Sequence, residues 1–543
     1  MAQSLVAVPK PSRLIIKKKF INLGLLLLGS VFYAFSFPNI ITPHFGFFPL
    51  AFVAFVPVFI LVERSSWVSI FIYSFIFGFL SYFIFNIWLI SFHPLAIYIV
   101  PLIYACFYLV LFPLLKAAQK LFPNIGFLLQ AIIWVGYEYL KTQGFLGYPY
   151  GIVGYTQFLF TPFIQVASLT GVWGVSFMVL LPSAILSRAF SSGFSWTLAY
   201  WSAFLRKNKI IIISYGILFI IVLVFGCVSQ VDYSISPRVR VALIQQNSEP
   251  WKDRYSDYEA ALDVLVELSE QSLASNPDMI IWSETAFVPA VYYHLRYREN
   301  REALNVVLKF QDFIKSQRIP YVIGNDDGRK VDAGGAQERR VDYNAAILFE
   351  DGEMKQVYRK THLVPFSENL PFKNQLPWLY DMLIDAGSHF WSKGEEYTVF
   401  QAAGMSFSTP ICFEDSFGYL NREFILNGAD VFVNLTNDSW SMSVAAEVQH
   451  MSMALFRTIE NRKSMVRSSN GGITCLIDPN GKILKQLPPF VPSYMIADVP
   501  VYQGEPTLYT LWGDWFGVLM VLVSLGFLLT GFSLALFRKM KVH

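Results

Sequence analysis

The sequence has few of the residues from which metal sites and disulfide frameworks are built. Its 543 residues include only four cysteines and seven histidines. The histidines show neither HxxxH nor HExxH spacing, and no CxxC pair occurs among the cysteines, which are Cys106, Cys227, Cys412 and Cys475. The sequence therefore excludes a disulfide-rich secreted domain and predicts no protein-bound metal and no other cofactor.

Charged residues are also scarce, at 15% of the chain, whereas hydrophobic residues make up 54% and aromatic residues 17%. The net charge is only +3, and the basic residues lie at the borders of apolar runs rather than along one stripe. This composition is typical of a membrane protein and excludes a single water-soluble domain. It indicates no nucleic-acid partner.

Long apolar runs are what the sequence has in abundance. A run of about 18 to 25 apolar residues can cross the roughly 30 Å hydrocarbon core of a bilayer. The first run follows Lys17, Lys18 and Lys19 as in a signal peptide, but no clear small-residue cleavage site follows it, so we interpret it as a retained span. The eight predicted spans lie near residues 20–37, 45–62, 67–91, 94–115, 124–141, 162–187, 210–229 and 515–537.

These spans predict three parts of the chain and their orientation. An N-terminal membrane domain with seven transmembrane helices covers 1–229, a polar domain covers 230–510, and a C-terminal transmembrane helix with a short tail covers 511–543. Lysine and arginine flank alternate ends of the spans, and the positive-inside rule assigns those ends to the cytoplasm. Both termini are then cytoplasmic, and the polar domain lies on the opposite, periplasmic side.

The polar interval is predicted to be an α/β domain. RVRVALIQ at 238–245 alternates as a strand does, residues 258–273 have the apolar spacing of a helix, and DMIIWSE at 278–284 is a short apolar strand. Later strand-like runs are joined by Asp-Gly and Pro-Asn-Gly turns. Antiparallel turns among α/β units predict a mixed, layered sheet.

Three polar residues stand at the ends of apolar strands in this domain: Glu284 in IIWSETAF, Lys360 in VYRKTHLV and Cys412 in STPICFED. Together they form a complete set for acyl transfer. A thiolate attacks a carbonyl, a carboxylate moves the proton, and an ammonium stabilises the oxyanion and lowers the pKa of the thiol. Taken singly, each residue is more often structural, as a turn glutamate, a solvated lysine or a packed cysteine.

The order Glu, Lys, Cys, with separations of 76 and 52 residues, resembles the nitrilase superfamily. SETAFVP, YRKTHLVPFSENLPF, PICFE, LTNDSW and IDPNGKI, together with GYPYGIVGYTQ and SLTGVWGVSF in the membrane part, are similar to one branch, the apolipoprotein N-acyltransferase family. The resemblance covers nearly the whole chain. It implies a membrane protein of about eight transmembrane helices that carries a nitrilase-like αββα sandwich, also called a carbon-nitrogen hydrolase domain.

The resemblance implies an acyltransferase of the bacterial inner (cytoplasmic) membrane. Cys412 would take an acyl chain from a phospholipid, phosphatidylethanolamine or a similar lipid, as a thioester. The α-amino group of the N-terminal diacylglyceryl-cysteine of an apolipoprotein would then attack this thioester, in ping-pong order, as the last step of lipoprotein maturation. Phospholipid, apolipoprotein and bilayer are the implied partners.

The resemblance also implies residue roles. Glu284 would be the general base and acid, Lys360 the oxyanion stabiliser and Cys412 the nucleophile. Glu368 matches a carboxylate that supports the lysine, and Glu414 matches the acid after the nucleophile, which we expect to orient the nucleophile's turn by hydrogen bonds.

Two further positions are less closely tied to the chemistry. Trp251 resembles a tryptophan near the site entrance, and a loop aromatic at the bilayer interface is an equally good interpretation. Phe413 departs from the family, which often has tyrosine there, so the tyrosine hydroxyl has no counterpart. We predict that the pocket walls, but not the reacting groups, include Asn437, Asp438, Trp440, Arg467 and Asn470.

Two other functions stay open at the level of sequence. A membrane-tethered nitrilase-type amidase would use water as the second nucleophile on a small carbon–nitrogen substrate. A non-catalytic lipoprotein-binding protein on a former enzyme fold would be favoured by loss of one of the three residues, and all three are present.

Overall fold

Helices occupy both ends of the chain, and the strands lie between them. The computed structural model describes residues 13–191, 194–250, 254–332, 338–371, 373, 375–385 and 389–540. The helices are α1 Arg13–Ser36, α2 Ala51–Ala54, α3 Val56–Arg64, α4 Ser69–Phe85, α5 Leu89–Phe92, α6 Ala96–Leu121, α7 Gly126–Lys141, α8 Thr161–Ile164, α9 Ala167–Thr170, α10 Val172–Ser191, α11 Leu198–Lys207, α12 Lys209–Val228, α13 Tyr255–Leu273, α14 Val291–Tyr297, α15 Arg301–Ser316, α16 Pro377–Asp385, α17 Gly418–Leu426, α18 Val444–Asn461, α19 Leu508–Trp512 and α20 Trp515–Met540. The strands are β1 Arg238–Gln245, β2 Met279–Trp282, β3 Tyr321–Asp332, β4 Glu338–Glu350, β5 Glu353–Arg359, β6 Val399–Ala402, β7 Met405–Ser408, β8 Val431–Thr436, β9 Ser464–Ser469, β10 Cys475–Ile477, β11 Ile483–Gln486 and β12 Ser493–Pro500.

Five of the described helices are long and apolar enough to cross a membrane, and they are α1, α6, α10, α12 and α20. The other predicted spans are shorter or divided. The run near 45–62 is divided into a 3₁₀ turn, α2 and α3, with Pro57 in the first turn of α3, where its missing N–H leaves no helical bond unmade. The runs near 67–91 and 124–141 form α4 and α7, of 17 and 16 residues.

The strands form two mixed sheets of six, in the orders β12-β1-β2-β3-β4-β5 and β11-β10-β9-β8-β7-β6. In each sheet three central strands are parallel and the outer strands pair antiparallel. The mixed, layered sheet predicted from the sequence is confirmed. Parallel strands whose carboxyl ends meet at one edge present the following residues to a shared site.

The two sheets pack face to face and helices cover their outer faces. Ser468 of β9 donates to the carbonyl oxygens of Ile244 and Ile281 in the other sheet, both at 3.3 Å. Leu265 of α13 and Phe310 of α15 pack on the outer face of the first sheet. With α17 and α18 on the second sheet, the layers are helix, sheet, sheet, helix, so the predicted αββα sandwich is confirmed.

Helix α18 joins the sandwich to the membrane helices. It is buried along nearly its whole length because one side packs on the second sheet and the other on the membrane part. Trp88 Nε1 donates to Gln449 Oε1 at 3.0 Å, and the rings of Tyr155 and Phe456 are perpendicular with centroids 5.1 Å apart. One continuous apolar core therefore runs from the sheets into the membrane helices.

Helix α12, which leads into the sandwich, packs closely on the segment that begins α8. A methyl group added to Gly226 would overlap the carbonyl oxygen of Pro162, whereas one added to Gly216 of the same helix has no atom within 4 Å. We expect Gly226→Ala to destabilise the protein by about 1–3 kcal/mol, since overpacking forces the helix to shift. Thermal unfolding of the detergent-solubilised protein measures this effect, with Gly216→Ala as the matched control. Equal melting temperatures for the two variants would contradict this packing.

Candidate active site

The three residues predicted to react come from both sheets and meet at one edge. Glu284 lies two residues after β2 and Lys360 directly follows β5, both in the first sheet, while Cys412 follows β7 in the second. Lys360 Nζ lies 3.1 Å from Glu284 Oε1. Cys412 is close enough to both for their charges to shift its pKa.

Lys360 is held by two carboxylates. Its side chain is 0% exposed, and Nζ donates to Glu284 Oε1 and, at 2.8 Å, to Glu368 Oε1. Burial opposes its charge, but the two carboxylates outweigh burial and raise the pKa of Lys360 above the ordinary lysine value. Glu368 Oε2 accepts from the Val364 N–H at 2.8 Å, which holds the loop from 360 to 368 around the ammonium. Lys360 is therefore a permanent positive charge.

Glu284 is oriented by three donors. Oε1 accepts from Asn344 Nδ2 at 2.8 Å as well as from Lys360, and Oε2 accepts from the backbone N–H of Asn437 at 2.9 Å. The carboxylate is buried, at 5% exposure. The Glu284 carboxylate is thus held in place by donors on three parts of the chain, which are β4, the segment after β5 and the segment after β8.

Cys412 begins a 3₁₀ helix that covers Cys412–Ser416, and its backbone has φ of +48°. A left-handed conformation is unfavourable for a residue with a side chain and occurs mainly where the surroundings enforce it, often at active sites. The side chain is partly exposed. Burial, followed by the Glu284 carboxylate, raises the pKa of the thiol well above its ordinary value, and Lys360 opposes this only partly. Lys360 thus lowers the thiol pKa as expected, but its effect is smaller than those of burial and Glu284, so the net shift is upward.

Glu414 does not reach the reacting groups through its own side chain. Its buried carboxylate accepts five hydrogen bonds, two from the backbone N–H groups of Thr361 and His362 and one from that of Ile411. The other two come from the hydroxyl groups of Thr361 and Tyr358. This carboxylate ties the segment after Lys360 to the residue before Cys412.

Of the other two predicted site residues, the structure describes Phe413 but not Trp251. Phe413 is buried and packs perpendicular to Phe417 with centroids 4.9 Å apart, beside the His362 ring at 5.9 Å. Its ring therefore belongs to an aromatic cluster next to the nucleophile. Trp251 lies outside the described residues.

A buried ionic network lies on the other side of Cys412. Asp438 accepts from Arg467 Nη2 at 2.7 Å and lies 3.0 Å from His450 Nδ1, while His450 Nε2 is 2.9 Å from Asp415 Oδ1. Burial opposes the charge on His450, but Asp415 and Asp438 outweigh it and raise the pKa of His450 to about 10. The imidazole is thus a cation that ties the 3₁₀ helix to α18.

Cys412, Asp438 and His450 present ligand atoms within 4.8 Å of one another, which is a spacing that metal sites also have. A metal ion would have to replace Arg467, whose guanidinium contacts both Asp438 and the His450 ring. A buried guanidinium and a metal cation repel each other, so these residues fit an ion-pair network rather than a metal site.

One residue of the site, Asn344, and one contact of a residue already named, Asn437, were not predicted from the sequence. Asn344 orients Glu284 from inside β4, and its signal was a polar residue directly before the apolar run AAILF. Asn437 was placed in the pocket wall, but its backbone N–H contacts Glu284. No local pattern reports a backbone contact between residues 153 positions apart.

Aromatic side chains of the membrane helices lie against the same edge of the sandwich. The Trp440 ring lies 5.5 Å from Trp88 and 5.2 Å from Phe92, and the Tyr150 ring lies 6.3 Å from His450, all between centroids. An apolar surface from the membrane part therefore reaches the network beside Cys412.

Known proteins match both parts of the chain. Residues 29–185 match the apolipoprotein N-acyltransferase N-terminal domain, and residues 240–507 match the carbon-nitrogen hydrolase family. Half of the chain also matches a solved amidase of the nitrilase superfamily from Nesterenkonia sp. AN1, at 16% identity over 49% of this chain and 93% of that chain, with a TM-score of 0.34.

Curated relatives match nearly end to end. Apolipoprotein N-acyltransferase 1 of Treponema denticola is 40% identical over 93% of this chain and 96% of its own length. Apolipoprotein N-acyltransferase 1 of Treponema pallidum is 39% identical over 93% of this chain and 95% of its own length. The chain therefore belongs to the apolipoprotein N-acyltransferase family.

Proposed function

We propose that this protein transfers an acyl chain from a membrane phospholipid, through a thioester on Cys412, to the α-amino group of the N-terminal diacylglyceryl-cysteine of apolipoproteins. The observation that carries the proposal is the Glu284, Lys360 and Cys412 cluster at the edge of a sandwich that is packed onto membrane helices. Both substrates are held in the bilayer, so an active site at its surface can receive them by lateral diffusion. The family membership supports the same activity.

In the first half-reaction, Glu284 takes the thiol proton as Cys412 Sγ attacks the ester carbonyl of the phospholipid. The Lys360 ammonium and the backbone N–H of Phe413 stabilise the oxyanion of the tetrahedral intermediate. When the intermediate collapses, the C–O bond breaks, and Glu284 returns the proton to the departing alkoxide. A thioester and a lysophospholipid result.

In the second half-reaction, the neutral α-amine of the acceptor attacks the thioester carbonyl while Glu284 takes one amine proton. The C–S bond breaks, the amide forms, and the proton passes to the departing sulfur. Because the thiol pKa is raised, the resting cysteine is a neutral thiol, and Glu284 is needed as a base at the moment of attack.

The supporting residues keep this geometry. We assign Glu368 to positioning the Lys360 ammonium and Glu414 to positioning the turn at Cys412, on the hydrogen bonds described above. Phe413 supplies an apolar wall next to the sulfur, and Trp251 stays a prediction for the entrance. A phospholipid such as phosphatidylethanolamine is the proposed acyl donor.

The chain is proposed to span the bacterial inner membrane eight times. The packing of α7 on α6 and α20, and of α4 on α1 and α6, supports counting the shorter helices as spans. Seven spans then lie in residues 1–229, the catalytic domain in 230–510 on the periplasmic side, and one span in 511–543, with both termini cytoplasmic. The eight are α1, the divided helix α2 with α3, α4, α6, α7, α10, α12 and α20.

We expect Cys412→Ala to form no acyl adduct. Glu284→Gln and Lys360→Ala should slow acylation by about 10²-fold or more, as is usual for loss of a general base or an oxyanion donor. Intact-mass spectrometry of the purified protein incubated with phospholipid measures the adduct, and Cys106→Ala, an exposed thiol of α6, is the control. An adduct of undiminished yield in Cys412→Ala would overturn the mechanism. Hydrolysis of small amides without acylation of a diacylglyceryl-peptide would favour an amidase instead.

The raised thiol pKa predicts slow alkylation of Cys412 at neutral pH. The thiolate fraction should increase about tenfold for each pH unit until the raised pKa is reached, since only the thiolate reacts. Mass spectrometry of the Cys412 peptide after brief iodoacetamide treatment from pH 6 to pH 9 measures the rate, with Cys412→Ala as background. A rate that is already constant above pH 6 would indicate a preformed thiolate and contradict this view.

We expect Glu414→Gln to slow acyl transfer at least about tenfold and to lower stability by about 3 kcal/mol. A glutamine lacks the negative charge that strengthens all five hydrogen bonds, and its NH₂ group in place of Oε2 would face the Ile411 N–H, so that bond is lost. Single-turnover thioester formation and thermal unfolding measure the two effects. Glu423→Gln on α17, where the glutamate is 40% exposed, is the control and should change neither.

A further inference from the structure

One face of β3 looks toward Glu284. A methyl group on Gly324 would lie 2.7 Å from the Glu284 Cα, so this face of the strand meets the segment that carries the base. Asp326, two residues on, shares the face because side chains alternate along a strand. Its direct cross-strand partner is Asn344, whose side chain donates to Glu284. Asp326 therefore stands next to the catalytic carboxylate.

A tryptophan connects Asp326 to the second carboxylate of the site. Trp391 Nε1 donates to Asp326 Oδ1 at 3.1 Å, and the backbone N–H of Trp391 donates to the Glu368 carbonyl oxygen at 3.0 Å. Trp391 therefore links the partly buried Asp326 side chain to the segment that carries Glu368, the second carboxylate on Lys360.

Asp326 differs from the neighbouring acids in having no cation. Arg359 pairs with Asp327 at 2.7 Å, Arg340 pairs with Asp342 at 2.8 Å, and Lys360 pairs with both Glu284 and Glu368. Within the described ranges, no lysine, arginine or histidine nitrogen lies within 4.0 Å of the Asp326 carboxylate. Burial, followed by Asp342, raises the pKa of Asp326 to about 7, although the Trp391 hydrogen bond and the more distant Arg340 charge oppose this rise. A partly buried carboxylate without an ion-pair partner either takes up a proton or gains from a ligand that brings a positive charge.

We propose that Asp326 binds a primary ammonium group of a substrate and so contributes to substrate choice. The proposal rests on the function proposed above, in which two substrates can bring such a group to this cleft. One is the α-amino group of the acceptor cysteine, which arrives as an ammonium and must become the neutral amine before it attacks beside Glu284. The other is the ethanolammonium headgroup of a phosphatidylethanolamine donor. Both have N–H donors and a positive charge that complement the carboxylate.

The test separates the two half-reactions. Thioester formation on Cys412 is measured by intact mass with phosphatidylethanolamine or with phosphatidylglycerol, which has no ammonium. Transfer from the preformed thioester to a diacylglyceryl-cysteine peptide is measured at varied peptide concentration. Asp326→Asn removes the charge but keeps an acceptor for Trp391, and Asp326→Glu keeps the charge. Asp351→Asn, in the exposed turn between β4 and β5, is the matched control.

An acceptor site predicts that Asp326→Asn raises the KM for the peptide about tenfold or more, with thioester formation unchanged. A donor site predicts a similar loss of thioester formation from phosphatidylethanolamine only, with phosphatidylglycerol unaffected. In either case Asp326→Glu should recover part of the loss, and Asp351→Asn should behave as wild type.

Two results would overturn the proposal. One is that Asp326→Asn matches wild type in both half-reactions. The other is that it slows thioester formation equally with both lipids and transfer at every peptide concentration, which would indicate a structural role. If wild type forms no Cys412 thioester with any phospholipid, the proposed function itself fails, and that result is distinct because it does not depend on residue 326.

Discussion

The site depends on a lysine ammonium that is buried between two carboxylates. A charge that is 0% exposed is tolerated only when paired, and removal of one partner of such a pair typically costs about 3–5 kcal/mol. Glu284 and Glu368 therefore cannot move independently of Lys360. Each is in turn held from a different segment, Glu284 by Asn344 and the Asn437 N–H, and Glu368 by the Val364 N–H. Glu284, Lys360 and Glu368 are thus positioned as one unit, as the roles proposed for Glu284 and Lys360 require.

Cys412 is fixed to that unit by a further buried carboxylate. Glu414 binds backbone donors on both the lysine segment and the cysteine segment, which belong to different sheets. On the far side, Asp415 and Asp438 bind His450 of α18, and α18 packs on the membrane helices. Cys412 therefore lies between two sets of buried charged groups. Glu414 and the Lys360 ion pairs lie on one side, and the ion pairs of His450, on the helix that contacts the membrane part, lie on the other.

Much of the site could be predicted because its chemistry is carried by distinctive residues at strand ends. Glu284, Lys360 and Cys412 were found as polar residues after apolar strands, and the structure brings them together. Asn344 and Asp326 were not found, because a polar residue inside a strand has no signal for which face it occupies or which side chain lies opposite. The spans at 45–62, 67–91 and 124–141 were predicted from hydropathy alone, which does not show where proline divides a run or where a helix ends early.

The sequence by itself determined the class of molecule and the mixed α/β pattern, since these follow from composition and periodicity, and its resemblance to a known family singled out Glu284, Lys360 and Cys412. Only the tertiary structure decided how those residues are charged and held. The thiol pKa is raised rather than lowered because burial and Glu284 outweigh Lys360. Likewise, the Glu414 carboxylate accepts hydrogen bonds from backbone N–H groups, and the Asp326 carboxylate beside Glu284 has no ion-pair partner in the part of the chain that the structure describes. Both outcomes depend on distances between segments far apart in the chain, and no local pattern encodes such distances.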